Sequence, residues 1–118
     1  MNMNNTDNMN HSLPLAIANE LNRMEANLTH MPNDVRGYKQ LCSCVKRMKD
    51  TLQAYGYEMV NLMGEPYTDG MMVMARFEIG ELETPDDNTP RITGVTKPQV
   101  NYHGRVIQVA EVTVRQPI

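Results

Sequence analysis

Two stretches of the chain repeat apolar residues at heptad spacing. Ile17, Leu21, Met24, Leu28 and Met31 are separated in a 4-3-4-3 rhythm, and Leu41, Val45, Met48, Leu52 and Tyr55 repeat it. This is the seam of antiparallel helices packed at a shallow angle. Ser12 is predicted to cap the first helix, with Pro14 tolerated in its first turn. His30-Met31-Pro32-Asn33-Asp34 ends the run; Asn33 or Asp34 is predicted to cap the second helix, and Gly56 suits the left-handed position beyond its end. So short a loop folds the helices back as an αα-hairpin over residues 12–56. One hairpin leaves most of each seam uncovered. A second copy is expected to cover them in a four-helix bundle, with Ile17, Leu21, Met24, Leu28, Leu41, Val45, Met48 and Leu52 at the dimer interface. The plainer alternative packs the seams on the chain's own sheet.

After Gly56 the period shortens. Glu58 to Leu62 alternates like a strand, as does Met71 to Ile79 through Val73, Phe77 and Ile79. Gly64-Glu65-Pro66 and Thr68-Asp69-Gly70 read as turns, and Thr84 to Pro90 as a polar loop. Arg91 to Lys97 is a predicted strand, and Asn101-Tyr102-His103-Gly104 a hairpin turn. Arg105 to Arg115 is the clearest strand, with Val106, Ala110, Val112 and Val114 predicted on one face. The fold class is therefore α+β: a tail at 1–11, a helical hairpin at 12–56, and a small, mostly antiparallel β-domain at 57–118.

Composition sharpens this reading. Among 118 residues, 41% are hydrophobic and 21% charged, so the chain is expected to be globular. It has no Trp, one Phe and five Tyr, but 11 Met, a residue that fills irregular gaps and adapts to partners. So few large rings in so short a chain again favour a core completed by a second subunit. Residues 57–118 carry five basic against nine acidic side chains, within a net charge of −3 overall. That balance argues against a phosphate-tracking nucleic-acid binder and suits a partner with a basic surface. The Asn-rich start lacks a basic, then apolar, leader pattern, and no stretch approaches a membrane span. With two cysteines only two residues apart, a reducing cytoplasm is the simplest expected home.

Candidates for catalysis are sparse. His11, His30 and His103 occur in no ligand spacing and are expected to be exposed loop residues. Cys42 and Cys44 point about 200° apart on a helix and cannot share a metal. They read as helix-flank residues or as a redox-sensitive dimer contact. Glu78, Glu81, Glu83, Asp86 and Asp87 crowd one region without EF-hand spacing and read as a solvated loop. Lys39, Lys46, Arg47 and Lys49 read as a solvated helix face. No enzyme activity, cofactor or metal is expected.

Lys46 to Val60, Gly64-Glu65-Pro66-Tyr67, Gly94-Val95 and Asn101 to Val114 together resemble segments of the GrpE family. Lys46 to Val60, where a helix ends in Tyr55-Gly56-Tyr57-Glu58-Met59-Val60, is similar to the family's helix ending in aromatic-Gly-Val-Glu-x-Ile. Gly64-Glu65-Pro66-Tyr67 resembles its Gly-Glu-Pro-Phe. Gly94-Val95 and Asn101 to Val114 resemble its closing hairpin, Gly-Arg-Val-Leu-Arg-Pro-Ala-x-Val-x-Val. Leu21-Asn22-Arg23 is a looser match to its first bundle helix. The resemblance spans about residues 15–115. It implies a homodimer on a four-helix bundle whose β-wing opens the nucleotide cleft of a DnaK-type chaperone ATPase and releases ADP. Carried over residue by residue, the family's ATPase contacts fall on Arg105, after the hairpin Gly104, and on Val114. Its second hairpin Arg is Gln108 here, and its apolar contact after Gly94 is Thr96. The family's Gly-Tyr before the turn is Gln99-Val100, its hairpin Pro is Val109, and its long paired helices ahead of the bundle have no counterpart before Ser12. A dimeric scaffold of the same fold, binding a different protein, is the alternative expectation.

Overall fold

The computed structural model describes residues 9–80 and 88–117. Two helices lead the chain, α1 (Ser12–Thr29) and α2 (Tyr38–Ala54). Among the described residues six strands follow: β1 (Tyr57–Val60), β2 (Val73–Ile79), β3 (Arg91–Lys97), β4 (Gln99–Tyr102), β5 (Arg105–Gln108) and β6 (Ala110–Gln116). They form two three-stranded sheets, ordered β1-β4-β5 and β2-β6-β3. The first is antiparallel throughout. In the second, β3 is antiparallel to β6 but β2 is parallel to it, so the β-unit is mostly antiparallel with one parallel pair.

Ends of elements follow local chemistry. Ser12 is the first helical residue rather than the cap; its N–H is received by Asn10 Oδ1 at 2.9 Å. Neither Asn33 nor Asp34 caps α2: its N-cap is Gly37, three residues past Asp34, where a φ of +86° turns the chain into the helix. Gly56, at φ +96°, ends the hairpin as its sequence position suggests.

The expected single strand from Arg105 to Arg115 is two strands in different sheets, broken at Val109. Gln108 holds the break: its Nε2 lies 2.8 Å from both Pro98 O and Asn19 Oδ1, donating to each. Ala110, Val112 and Val114 then alternate inward with half-buried Glu111, Thr113 and Arg115. Val106, assigned by alternation to the same face, is instead 40% exposed in the other sheet. The acidic residues Glu81, Glu83, Asp86 and Asp87 lie outside the described residues.

Three small cores result. Ile92, Ala110, Val112 and Val114 pack beneath Leu62, Tyr67 and Met71. Ala18 of α1 joins Tyr57 and Val100 of the first sheet. Leu21, Leu28 and Val45 join the two helices. Leu52 and Met59 touch both of the latter clusters and weld the hairpin to the first sheet. The molecule measures 56 × 42 × 17 Å, a thin plate. Its radius of gyration is 16.5 Å, against about 13.5 Å for a compact chain of this length.

The expected dimer seam divides accordingly. Leu21, Leu28 and Val45 are buried within the single chain and Leu52 is half-buried, so these four serve its own core. Ile17, Met24 and Met48 are each 39% exposed and Leu41 50%. The cause is angular. Taking Leu21 and Val45 as the inward directions, Ile17, Met24, Leu41 and Met48 stand roughly 40–60° to one side. In antiparallel helices those flanks share one face of the hairpin. Leu13 and Tyr55, 70% and 73% exposed, extend the same face. Ala18 and Cys42 stand on the opposite flank, where Ala18 meets the first sheet.

Candidate partner-binding surface

The β4–β5 hairpin is the best-formed projection of the β-unit. Tyr102 pairs with Arg105, leaving His103 and Gly104 as a two-residue turn. Their φ values, +47° and +83°, are those of a type I′ turn, whose twist matches the flanking strands. The turn is braced from behind. His103 N–H donates to Gly56 O at 2.9 Å, and the His103 ring stands against Tyr102, centroids 4.2 Å apart. A Cβ on Gly56 would stand 2.7 Å from that ring, so the helix end and the hairpin turn are fitted to one another.

Of the residues carried over from the resemblance, Gly104 and Arg105 are exposed on this hairpin. Thr96 is exposed on β3, in the other sheet, with its Oγ1 donating to Glu111 O at 3.1 Å. Gln108 is half-buried and engaged inward as described, a clasp between β5, α1 and the β3–β4 junction. Val114 is fully buried in the second sheet's core, so its side chain presents nothing to a partner and the contact role is withdrawn. The exposed apolar residue that follows Arg105 along β5 is Val106, on the opposite face of the strand. Alternation missed it, because alternation read through the break at Val109. The candidate surface is thus Gly104-Arg105-Val106 at the hairpin end of an edge strand, with the Arg105 cation on one face of the sheet and the Val106 side chain on the other.

His11 is not a free tail residue. Its Nδ1 is 2.8 Å from Tyr57 Oη, and its ring lies 5.5 Å from Tyr57 and 4.7 Å from Tyr102, centroid to centroid. This stack ties the first turn of α1 to β1 and β4. Burial, followed by the neighbouring Tyr102, raises the Tyr57 hydroxyl above its ordinary pKa. Near the start of α2, hydrogen bonding with the Cys42 thiol raises Tyr38 similarly. Cys42 and Cys44 are both free thiols, and Arg47 Nη2 lies 3.4 Å from Cys44 Sγ.

A cavity of about 380 Å³ opens on the junction of α1 with β1 and β3. Met59, Leu62 and Val95 contribute apolar wall, and Lys49 bonds Glu25 at 2.9 Å beside them. Asn22 Nδ2 donates to Val95 O at 2.9 Å, pinning α1 to β3. Among the described residues, no three His, Cys, Asp or Glu side chains are grouped to hold a metal ion, and no helix is long and apolar enough to cross a membrane. Neither a protein-family model nor a curated protein matches the chain.

Proposed function

We propose that this chain is a GrpE-like co-chaperone: a cytoplasmic homodimer that binds the ATPase domain of a DnaK-type chaperone and promotes exchange of ADP for ATP. One observation carries the reading. A helical hairpin with one face on its own sheet exposes Leu13, Ile17, Met24, Leu41, Met48 and Tyr55 on the opposite face, and leads at Gly56 into a six-strand β-unit. Apolar flanks on both antiparallel helices suit closure by a second hairpin into a four-helix bundle. The β-units then face outward, with Gly104-Arg105-Val106 at a rigid turn.

Such a protein makes and breaks no bond. Exchange follows from binding the open nucleotide cleft more tightly than the closed one. Each tenfold gain in ADP release needs about 1.4 kcal/mol of that preference. In this reading Arg105 pairs with a carboxylate on an ATPase lobe, and Val106 adds apolar contact where that lobe reaches round the edge strand to its other face.

The test is release of a fluorescent ADP analogue from a DnaK-type ATPase, with and without this protein. Acceleration is the expected outcome, and Arg105→Ala is expected to reduce it while the fold persists. Unchanged release, with the protein dimeric and folded, removes the exchange role and leaves the second reading, a dimeric scaffold for a different protein. That reading rests on the same exposed helical face and differs only in what the β-unit binds.

A further inference from the structure

We propose that β2 is a second self-association surface, pairing antiparallel with β2 of another copy about a two-fold axis through Phe77. The two edges of the β2-β6-β3 sheet are treated differently. The β3 edge is sealed by the preceding loop: Gly64 N–H donates to Ile92 O at 2.9 Å, Ile92 N–H to Glu65 O at 3.0 Å, and Tyr67 N–H to Pro90 O at 2.8 Å. Along the β2 edge no strand pairs among the described residues.

Natural edge strands are blunted by Pro, Lys, bulges or brevity. β2 has none of these; its charges, Arg76 and Glu78, are of opposite sign and leave the edge able to pair with a complementary strand. It runs seven residues, Val73-Met74-Ala75-Arg76-Phe77-Glu78-Ile79, in unbroken register with β6. Its exposed side chains are apolar to an unusual degree, with Met74 at 62%, Phe77 at 50% and Ile79 at 75%. Alternate residues turn their N–H and C=O groups to the open edge, as in any edge strand.

The choice of a second copy comes from the charges. Pairing must keep each sheet face continuous, so opposed residues share the parity of their positions. Centring the two-fold on Arg76 sets Arg76 against Arg76, and centring it on Glu78 sets Glu78 against Glu78. Centring it on Phe77 sets Arg76 against Glu78 twice, Phe77 against Phe77, and Ala75 against Ile79. Arg76 has no ion pair among the described residues, whereas Glu78 Oε1 is held by Arg115 at 2.8 Å and keeps its second oxygen. Directly opposed unlike charges and an aromatic pair favour this register over its neighbours. The strand is thus its own complement, and the result is a six-stranded sheet across the axis.

Sedimentation of the full chain tests this independently of the helical face. In a Met48→Glu background, which repels a second hairpin, the protein is expected to remain a dimer through β2. Adding Arg76→Glu should halve its mass by opposing Glu78, with association weakened about tenfold or more. Arg76→Glu with Glu78→Arg should restore the dimer. Circular dichroism of each variant checks the fold. A second readout avoids charge altogether: Phe77→Cys, with Cys42 and Cys44 changed to Ser, should form a disulfide-linked dimer, and Arg76→Cys in the same background should not. If Arg76→Glu leaves the mass unchanged, or Phe77→Cys fails to cross-link, the self-pairing is wrong and the edge belongs to another protein's strand or to none. If the wild type is only a dimer and Arg76→Glu makes it monomeric, the β2 pairing stands and the helical-face dimer falls.

Discussion

Gly56 shows how one residue couples two elements. Its φ of +96° is open to Gly, and its missing Cβ makes room for the His103 ring. Gly56→Ala is expected to cost about 1–3 kcal/mol, read from urea denaturation, because it strains the backbone and displaces the ring together. Gln108 and Arg105 separate structural from contact roles on one strand. Gln108→Ala removes two inward hydrogen bonds and should cost about 1–3 kcal/mol of stability. Arg105→Ala, on the exposed turn, should cost less than about 1 kcal/mol while lowering ADP release. Tyr57 sets an alkaline limit. Its pKa in the folded chain is raised, so the neutral hydroxyl is favoured there. That stabilisation is whole below the unfolded value, about 10, and is lost as pH rises through the higher folded value. Stability should therefore decline from about pH 10 up to the folded value, and Tyr57→Phe should flatten the decline in a pH series of thermal melts.

At the scale of elements, the helices are doubly amphipathic. Ala18 of α1 and Leu52 of α2 pack against the first sheet; the middle, with Leu21, Leu28 and Val45 and with Cys42 beside them, joins the pair; the other flank is exposed. Substitutions should sort by flank. Leu21→Ala is expected to destabilise the chain by about 2–5 kcal/mol at any protein concentration, since it empties a sealed site. Met48→Glu should leave the chain folded and shift its association equilibrium instead, seen by sedimentation. Heptad spacing identified the middle and the exposed flank but ranked them as one class, and it did not mark Ala18. A 4-3 rhythm marks an apolar stripe wide enough to serve two neighbours, and it does not say which flank meets which. The β6 alternation was legible for the same reason that it failed at β5. Period two reports facing within a strand, but carries no mark where a strand leaves one sheet for another.

At the scale of the molecule, thickness is the governing quantity. A plate 17 Å thin carries its elements in few layers and leaves broad faces uncovered. The exposed helical face and the open β2 edge both follow from that shape. They lie on different elements, so their effects on mass should separate in the variants described above. The proposed exchange role needs only the first of them.

From its residues alone this chain determined that helices precede strands, the class α+β, the hairpin ending at Gly56, and the His103-Gly104 turn, because periodicity and left-handed backbone are local properties of residue type. β4 was not among them, since its Asn101 and Tyr102 read as turn. Tertiary structure alone decided the division of each seam into sealed and open flanks, the split of the last strand at Val109, the parallel pairing of β2, the burial of Val114 and the docking of His11. Each of these depends on which distant segment arrives to cover a surface, and a pattern of spacing along the chain holds no record of that arrival.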